Sequence, residues 1–282
     1  MGSFRPDPNI LKKHPNAITQ QQIDEKGRFI GAVLGAAAGD SSSSGEPGNA
    51  VSLTLLLMRS LVSRKQLDLE DVGRGLLRWF GSKPAGLGNL TRSALENLRA
   101  GEPPTQSGAI AWEDSERKGA DDGSLLCCAP IGLLHAKNLD GLSDDAAAFS
   151  RITHSDPRCV AGCIGVATAI AWLVRGHGDE AVERAASAAG AVSDAARLAI
   201  ERGAARKPSE IHAEGDFVLG TLELAFSALG SAATFEEGAR GCVAGALLGA
   251  KLGKNQIPEK LLARAKAAPE LGSLAASLYG LL

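Results

Sequence analysis

Glycine recurs at every fourth position in two separate stretches of this chain: at Gly27, Gly31, Gly35 and Gly39, and again at Gly241, Gly245, Gly249 and Gly253. Residues four apart lie on one face of an α-helix. Each glycine in a helix interior costs up to about 1 kcal/mol relative to alanine, so a face built of them needs compensation. Close approach of two backbones supplies it, and the pattern predicts two central helices in backbone contact within one core. A membrane dimer seam would use similar residues, but both runs are short and flanked by charges. The composition agrees: hydrophobic residues make up 44%, aromatics only 4%, and 34 residues are glycine. A core with few rings and many small residues needs helices that sit close together.

The rest of the chain reads as helix after helix. Leu69, Val72, Leu76 and Trp79 recur at helical spacing behind Asp68, a side chain suited to accept the first free amides of that helix. Ser143 is placed to cap a stretch carrying Ala146, Phe149 and Ile152. Asp156 followed by Pro157 is a strong start signal, because proline at the first helical position gives up an amide that would be unpaired anyway. That helix should run to Val174, with Gly176 closing it. Thr234 and Glu237 form a capping box. No segment reads convincingly as a strand, so the class is all-α, with about ten or more helices on short connections. Residues 1–21 read as a flexible N-terminal tail, and residues 22–282 as one domain.

The formal net charge is −2, with acids and bases interspersed. No basic stripe is present of the kind that phosphate backbones attract, which argues against nucleic acid as a partner. The uncharged run 159–174 falls short of the roughly 20 residues that span a bilayer, and no secretory leader is visible. The five cysteines are Cys127, Cys128, Cys159, Cys163 and Cys242. The count is odd and two are adjacent, so buried structural thiols are expected rather than a disulfide framework or a metal site. The expected location is cytoplasmic, with neither a membrane nor nucleic acid as partner.

Several stretches resemble one family in its own order. RFIGAVLGAAAGD is similar to the opening helix of the ADP-ribosylglycohydrolases, which typically ends in Gly-Asp. GLGNLTRSALENLRAGEPPT resembles their glycine turn and following helix, and DDGSLLCCAPIGLLHA their Gly-Asn-Gly-Ser segment leading into Ala-Pro-Ile-Gly. SRITHSDPRCVAGCIGVATAIAWLVRG resembles their Thr-His segment and its long helix, while GDFVLGTLELAFSALGSAATFEE and IPEKLL resemble their last regions. The resemblance implies a single-domain, all-α orthogonal multi-helix bundle. It implies hydrolysis of the bond between ADP-ribose and an acceptor, with two magnesium ions held by a Thr-Asp-Asp-Thr motif and an Asp-x-Asp-Thr motif.

Neither motif is present. Gly48, Asn49, Ala50 and Val51 stand where Thr-Asp-Asp-Thr is expected, behind a serine run that reads as a shortened loop. TFEEGARGCVAGALLGAK passes from the capping box straight into the glycine helix, without the second motif. Magnesium takes near-octahedral oxygen ligands, usually including carboxylates. Asn49 offers one neutral oxygen, and Ala50 and Val51 offer no side-chain oxygen. No magnesium and no other cofactor is therefore expected.

What could still carry chemistry is limited. Asp40 ends the first helix, either as a remnant of a site or as a cap for the next turn. Glu46, Asp121 and Asp122 are the candidate acids and bases, the last two adjacent and able to share a proton. The family has asparagine at Asp122, so a carboxylate there would repel a diphosphate. By resemblance, Gly86, Gly88, Asp122, Gly123, Ser124 and His154 would line a nucleotide-like ligand, with the amides behind Ser124 cradling phosphate. An arginine usual in the family is replaced by Cys127.

Three functions compete on this sequence. The leading one is a catalytically degenerate member that binds an ADP-ribose-like small molecule or a protein partner. The second is a metal-independent hydrolase using Glu46, Asp121 or Asp122. The third is a pure protein-interaction module with a closed cleft.

Overall fold

The computed structural model describes residues 15–40, 46–211 and 217–282. Among these residues the chain forms fifteen α-helices. In order they are α1 (Pro15–Gly39), α2 (Asn49–Arg64), α3 (Leu69–Gly81), α4 (Asn89–Ala100), α5 (Pro104–Asp114), α6 (Ala129–Leu134), α7 (Leu142–Arg151) and α8 (Pro157–Val174). There follow α9 (Gly178–Gly190), α10 (Asp194–Ala204), α11 (Val218–Ser231), α12 (Phe235–Gly238), α13 (Cys242–Leu252), α14 (Glu259–Leu262) and α15 (Ala268–Leu281). Of strand-like pairing, the described residues contain one isolated bridge, between Asp121 and Phe217.

The two glycine helices meet as their spacing requires. The contact of α1 with α13 is the most extensive between any two elements. It is antiparallel: Gly31 faces Gly249, Gly35 faces Gly245, and Gly39 faces Gly241. The Gly241 amide donates to the Gly39 carbonyl at 3.1 Å and ties the pair at one end. Gly241 and Gly253 do not belong to the helical stripe, contrary to expectation. They flank α13 with φ of 94° and 81°, conformations that favour glycine for its backbone freedom.

The other central element is α8. Mean hydropathy over its 18 residues is 1.6, and 83% of them are buried. It is long and apolar enough to cross a membrane, yet its surface is taken up by contacts with α6, α7, α9 and α13. Burial of this kind contributes roughly 25 cal/mol per Å² of apolar surface.

The caps read from sequence hold with one exception. The Asp71 amide donates to Asp68 at 2.9 Å and the Arg158 amide to Asp156 at 2.8 Å. Thr234 and Glu237 exchange the paired bonds of a capping box. Gly176, with φ 85°, follows α8. Ser143, however, lies inside α7, whose cap is Gly141 at φ 77°; the left-handed glycine starts the helix two residues earlier than a serine cap would. Helix α1 begins at Pro15, so residues 15–21, expected in the tail, are helical. Residues 1–14 and the serine run 41–44 lie outside the described residues.

Candidate functional site

The turn carrying Asp121 and Asp122 is fixed from both sides. The Val218 amide, at the start of α11, donates to the Ala120 carbonyl at 3.0 Å, beside the Asp121–Phe217 bridge. The Asp121 carboxylate then meets three groups. It touches His154 Nε2 and accepts from the Gly123 amide at 3.3 Å, and the Leu90 amide in the first turn of α4 faces it and favours its charge. A carboxylate at a helix N-terminus is favoured by the helix dipole and the free amides there. Gly88 permits this placement, since a Cβ on it would lie 2.9 Å from Asp121 Oδ2. Burial alone would push the Asp121 carboxyl up. The His154 ring and the two amides outweigh it and hold the group below the usual carboxylate range, so it is ionised.

His154 sits behind that carboxylate rather than in front of it. The residue is fully buried, and its Nδ1 lies 2.7 Å from Thr153 Oγ1. Both ring nitrogens are engaged, and a Cβ on Gly123 would come within 2.9 Å of the ring. His154 thus positions Asp121 and presents no free nitrogen to a ligand. Asp122 is drawn elsewhere: Thr221 on α11 donates to its Oδ2 at 2.5 Å. The two adjacent carboxylates are held by different elements, which does not favour the shared-proton arrangement read from their adjacency.

Ser124 is also turned inward. It is buried, 3.1 Å from Ser150 Oγ, and takes the Cys163 thiol at 3.4 Å. Its hydroxyl is a packing group, leaving only backbone to meet a ligand there. The five cysteines are all free and buried.

Gly86 forms an exposed turn with φ 68°. Asn49, the first residue of α2, reaches across to it. The Asn49 carboxamide donates to the Ala85 carbonyl at 2.8 Å and to the Gly86 carbonyl at 3.4 Å. Asp40 accepts the Gly48 amide at 3.1 Å, which is the capping role. Partial burial raises its carboxyl above the usual value against that single backbone bond. Glu46 is exposed and pairs with Lys266 near the start of α15.

Gly88, Asp121, Gly123 and His154 therefore form one connected cluster, with Asp122 at its edge. Gly86 is tied instead to Asn49 at the start of α2, and Glu46 to Lys266. Three contributors escaped sequence reading: Thr153, Thr221 and the Asn49 tie. Thr153 adjoins His154 in the quoted Thr-His segment, so a signal existed. Thr221 is 99 positions from Asp122, and no local pattern connects them.

A two-magnesium centre does not fit these residues. Ala50 and Val51 are buried apolar side chains. Asn49 spends its amide on two carbonyls, and the chain enters α13 directly from Gly241. Among the described residues no three His, Cys, Asp or Glu side chains group closely enough to hold a metal.

Comparison with known proteins gives one consistent result. A family model described as ADP-ribosylglycohydrolase matches residues 21–282. The chain is 26% identical to the ADP-ribosylarginine hydrolase Tri1 of Serratia proteamaculans, over 84% of this chain and 60% of that protein. It is 27% identical to the ADP-ribosyl-[dinitrogen reductase] glycohydrolase of Rhodospirillum rubrum, over 48% and 44%. It is 30% identical to YegU of Escherichia coli, over 46% and 39%. The matches thus cover less than two thirds of each of these relatives' length. A solved structure titled ADP-ribosylglycohydrolase-related protein complex superposes with a TM-score of 0.75 at 26% identity, covering 92% of this chain and 99% of that one.

Proposed function

Because the chain belongs to the ADP-ribosylglycohydrolase family, we propose that it is a binding member of that family and not a magnesium-dependent hydrolase. One observation carries the reading. Asn49, standing where resemblance puts a metal-binding carboxylate, donates to the Ala85 and Gly86 carbonyls. Held by its NH2 end, this side chain leaves one neutral oxygen where a two-ion centre needs negative charge. Without paired carboxylates, two close magnesium ions would repel with nothing to neutralise them. The retained glycine turn and the ionised Asp121, an acceptor for ribose hydroxyls, still offer polar groups to an ADP-ribose-like molecule. A cytoplasmic setting is the reading that five unpaired, buried thiols support.

A second reading has its own observation. Asp121 is ionised and backed by an imidazole, an arrangement that serves general-base catalysis elsewhere. It would make the chain a metal-independent hydrolase.

Calorimetry with ADP-ribose, together with a release assay on an ADP-ribosyl-arginine peptide, separates these readings. The expected outcome is ADP-ribose binding that EDTA leaves unchanged, without release of ADP-ribose. Release that requires magnesium would overturn the proposal. Release that persists in EDTA and disappears in Asp121→Asn would promote the second reading. Absence of any binding heat would leave the cleft without a ligand and favour the interaction module.

A further inference from the structure

Helices α2 and α3 leave between them a groove of about 600 Å³, lined by Ser63, Arg59, Arg78, Trp79 and an apolar floor of Leu55 and Leu56. It shares no residue with the Asp121–His154 cluster. Its size falls in the range of about 300–1,000 Å³ usual for small-molecule sites. The helices lie close because α3 carries Gly75 at the crossing, where a Cβ would meet Leu56 at 2.9 Å.

The polar groups of the groove are unevenly satisfied. Its one carboxylate, Asp71, is bound by Arg64 at 2.7 Å, by Arg74 at 3.0 Å and by Ser60 at 2.8 Å. Arg59 is paired with Glu270 at 2.7 Å. Arg78 is exposed and has no hydrogen-bond or ion-pair partner among the described residues, and the same holds for the Ser63 hydroxyl and the Trp79 indole N–H. What the groove leaves open is therefore a set of donors, one of them a full positive charge, beside an aromatic ring. The complement is an acceptor-rich anion attached to a flat apolar ring. Guanidinium groups pair with phosphate through two parallel bonds, and indole faces stack on planar rings.

We propose that the α2–α3 groove is a second ligand site, taking a small heteroaryl phosphate with its ring on Trp79 and its phosphate on Arg78. This proposal does not rest on the reading of the first site.

Adenosine monophosphate is a suitable probe, with adenosine and inorganic phosphate as the ring-only and anion-only controls. Titration of the full chain should quench tryptophan emission saturably, and calorimetry should give the same affinity. Binding should weaken at least tenfold in Arg78→Gln, and less in Arg78→Lys. The quench should vanish in Trp79→Phe. Since Arg78 is exposed, its variants should melt like the parent. Three results would overturn the proposal: no saturable binding, equal affinity in Arg78→Gln, or adenosine binding as tightly as its monophosphate.

Discussion

Gly35 and Gly245 pack backbone against backbone: a Cβ built on either one would lie 2.1 Å from the carbonyl oxygen of the other. Real Cβ atoms do not approach that closely, so any side chain at these positions must push α1 and α13 apart. Overpacking a core costs about 1–3 kcal/mol even for small insertions. Gly35→Ala should therefore destabilise by that amount, and Gly35→Leu by more, as read from urea unfolding. Gly272→Ala is the control, because its Cβ would meet only Leu34 at 3.7 Å. That variant should be neutral or gain up to about 1 kcal/mol of helix propensity. A Gly35→Leu protein as stable as the parent would mean that the two helices do not meet in solution.

Magnesium should leave the melting temperature unchanged. Binding to the native state adds RT ln(1 + [L]/Kd), about 2.7 kcal/mol at a hundredfold excess over Kd. A two-ion site would thus declare itself at millimolar metal. Glu46, the nearest exposed carboxylate by sequence, is held by Lys266. A rise in Tm that EDTA reverses and Glu46→Gln abolishes would show a metal site at Glu46.

The Asp121–His154 pair should set part of the acid sensitivity. The folded carboxyl titrates below its ordinary value of 3.8. Its stabilisation is therefore complete above that value and is lost as pH falls through the lower, folded pKa. Asp121→Ala leaves the His154 ring and the Gly123 amide without a partner, which should cost about 1–3 kcal/mol near neutral pH. The gap between parent and variant should narrow below about pH 4, in denaturant melts taken across pH. A gap that stays constant to lower pH would show that Asp121 contributes by shape and not by charge.

The thiols should be inert in the native protein, because all five are buried away from a reagent. Burial pushes the Cys127, Cys159 and Cys242 thiols up, and the thiolate is the reactive form. For Cys242, the nearby Asp40 and Asp122 carboxylates add to that rise. A colorimetric disulfide reagent should react slowly with folded protein and with all five cysteines once guanidinium is added. Prompt reaction of one cysteine in the native state would point to a locally opened segment around it.

Much of the fold was legible from local patterns. The glycine spacing, Asp68, the Asp156–Pro157 pair and the Thr234–Glu237 box each act within one or two turns of helix. Their physics is contained in a few consecutive residues. Ser143 misled because serine and glycine both start helices, and only the backbone angle at Gly141 decides between them. The membership of Gly241 and Gly253 in the helical stripe failed for a similar reason: both lie at the contact but just outside the ends of α13, at positive φ, and spacing does not show where a helix stops.

The candidate site was legible in its residues but not in its roles. Sequence alone determined which groups exist, that Asn49, Ala50 and Val51 stand where the resemblance puts paired carboxylates, and that two glycine-striped helices are suited to meet. Tertiary structure decided what each group faces. It turned His154 and Ser124 inward, separated Asp121 from Asp122, and gave Asn49 to the carbonyls of Ala85 and Gly86. Those outcomes depend on partners 26 to 99 positions away in the chain. The free energy of a polar side chain is set by the donors and acceptors that folding brings to it, and no run of neighbouring residues encodes them.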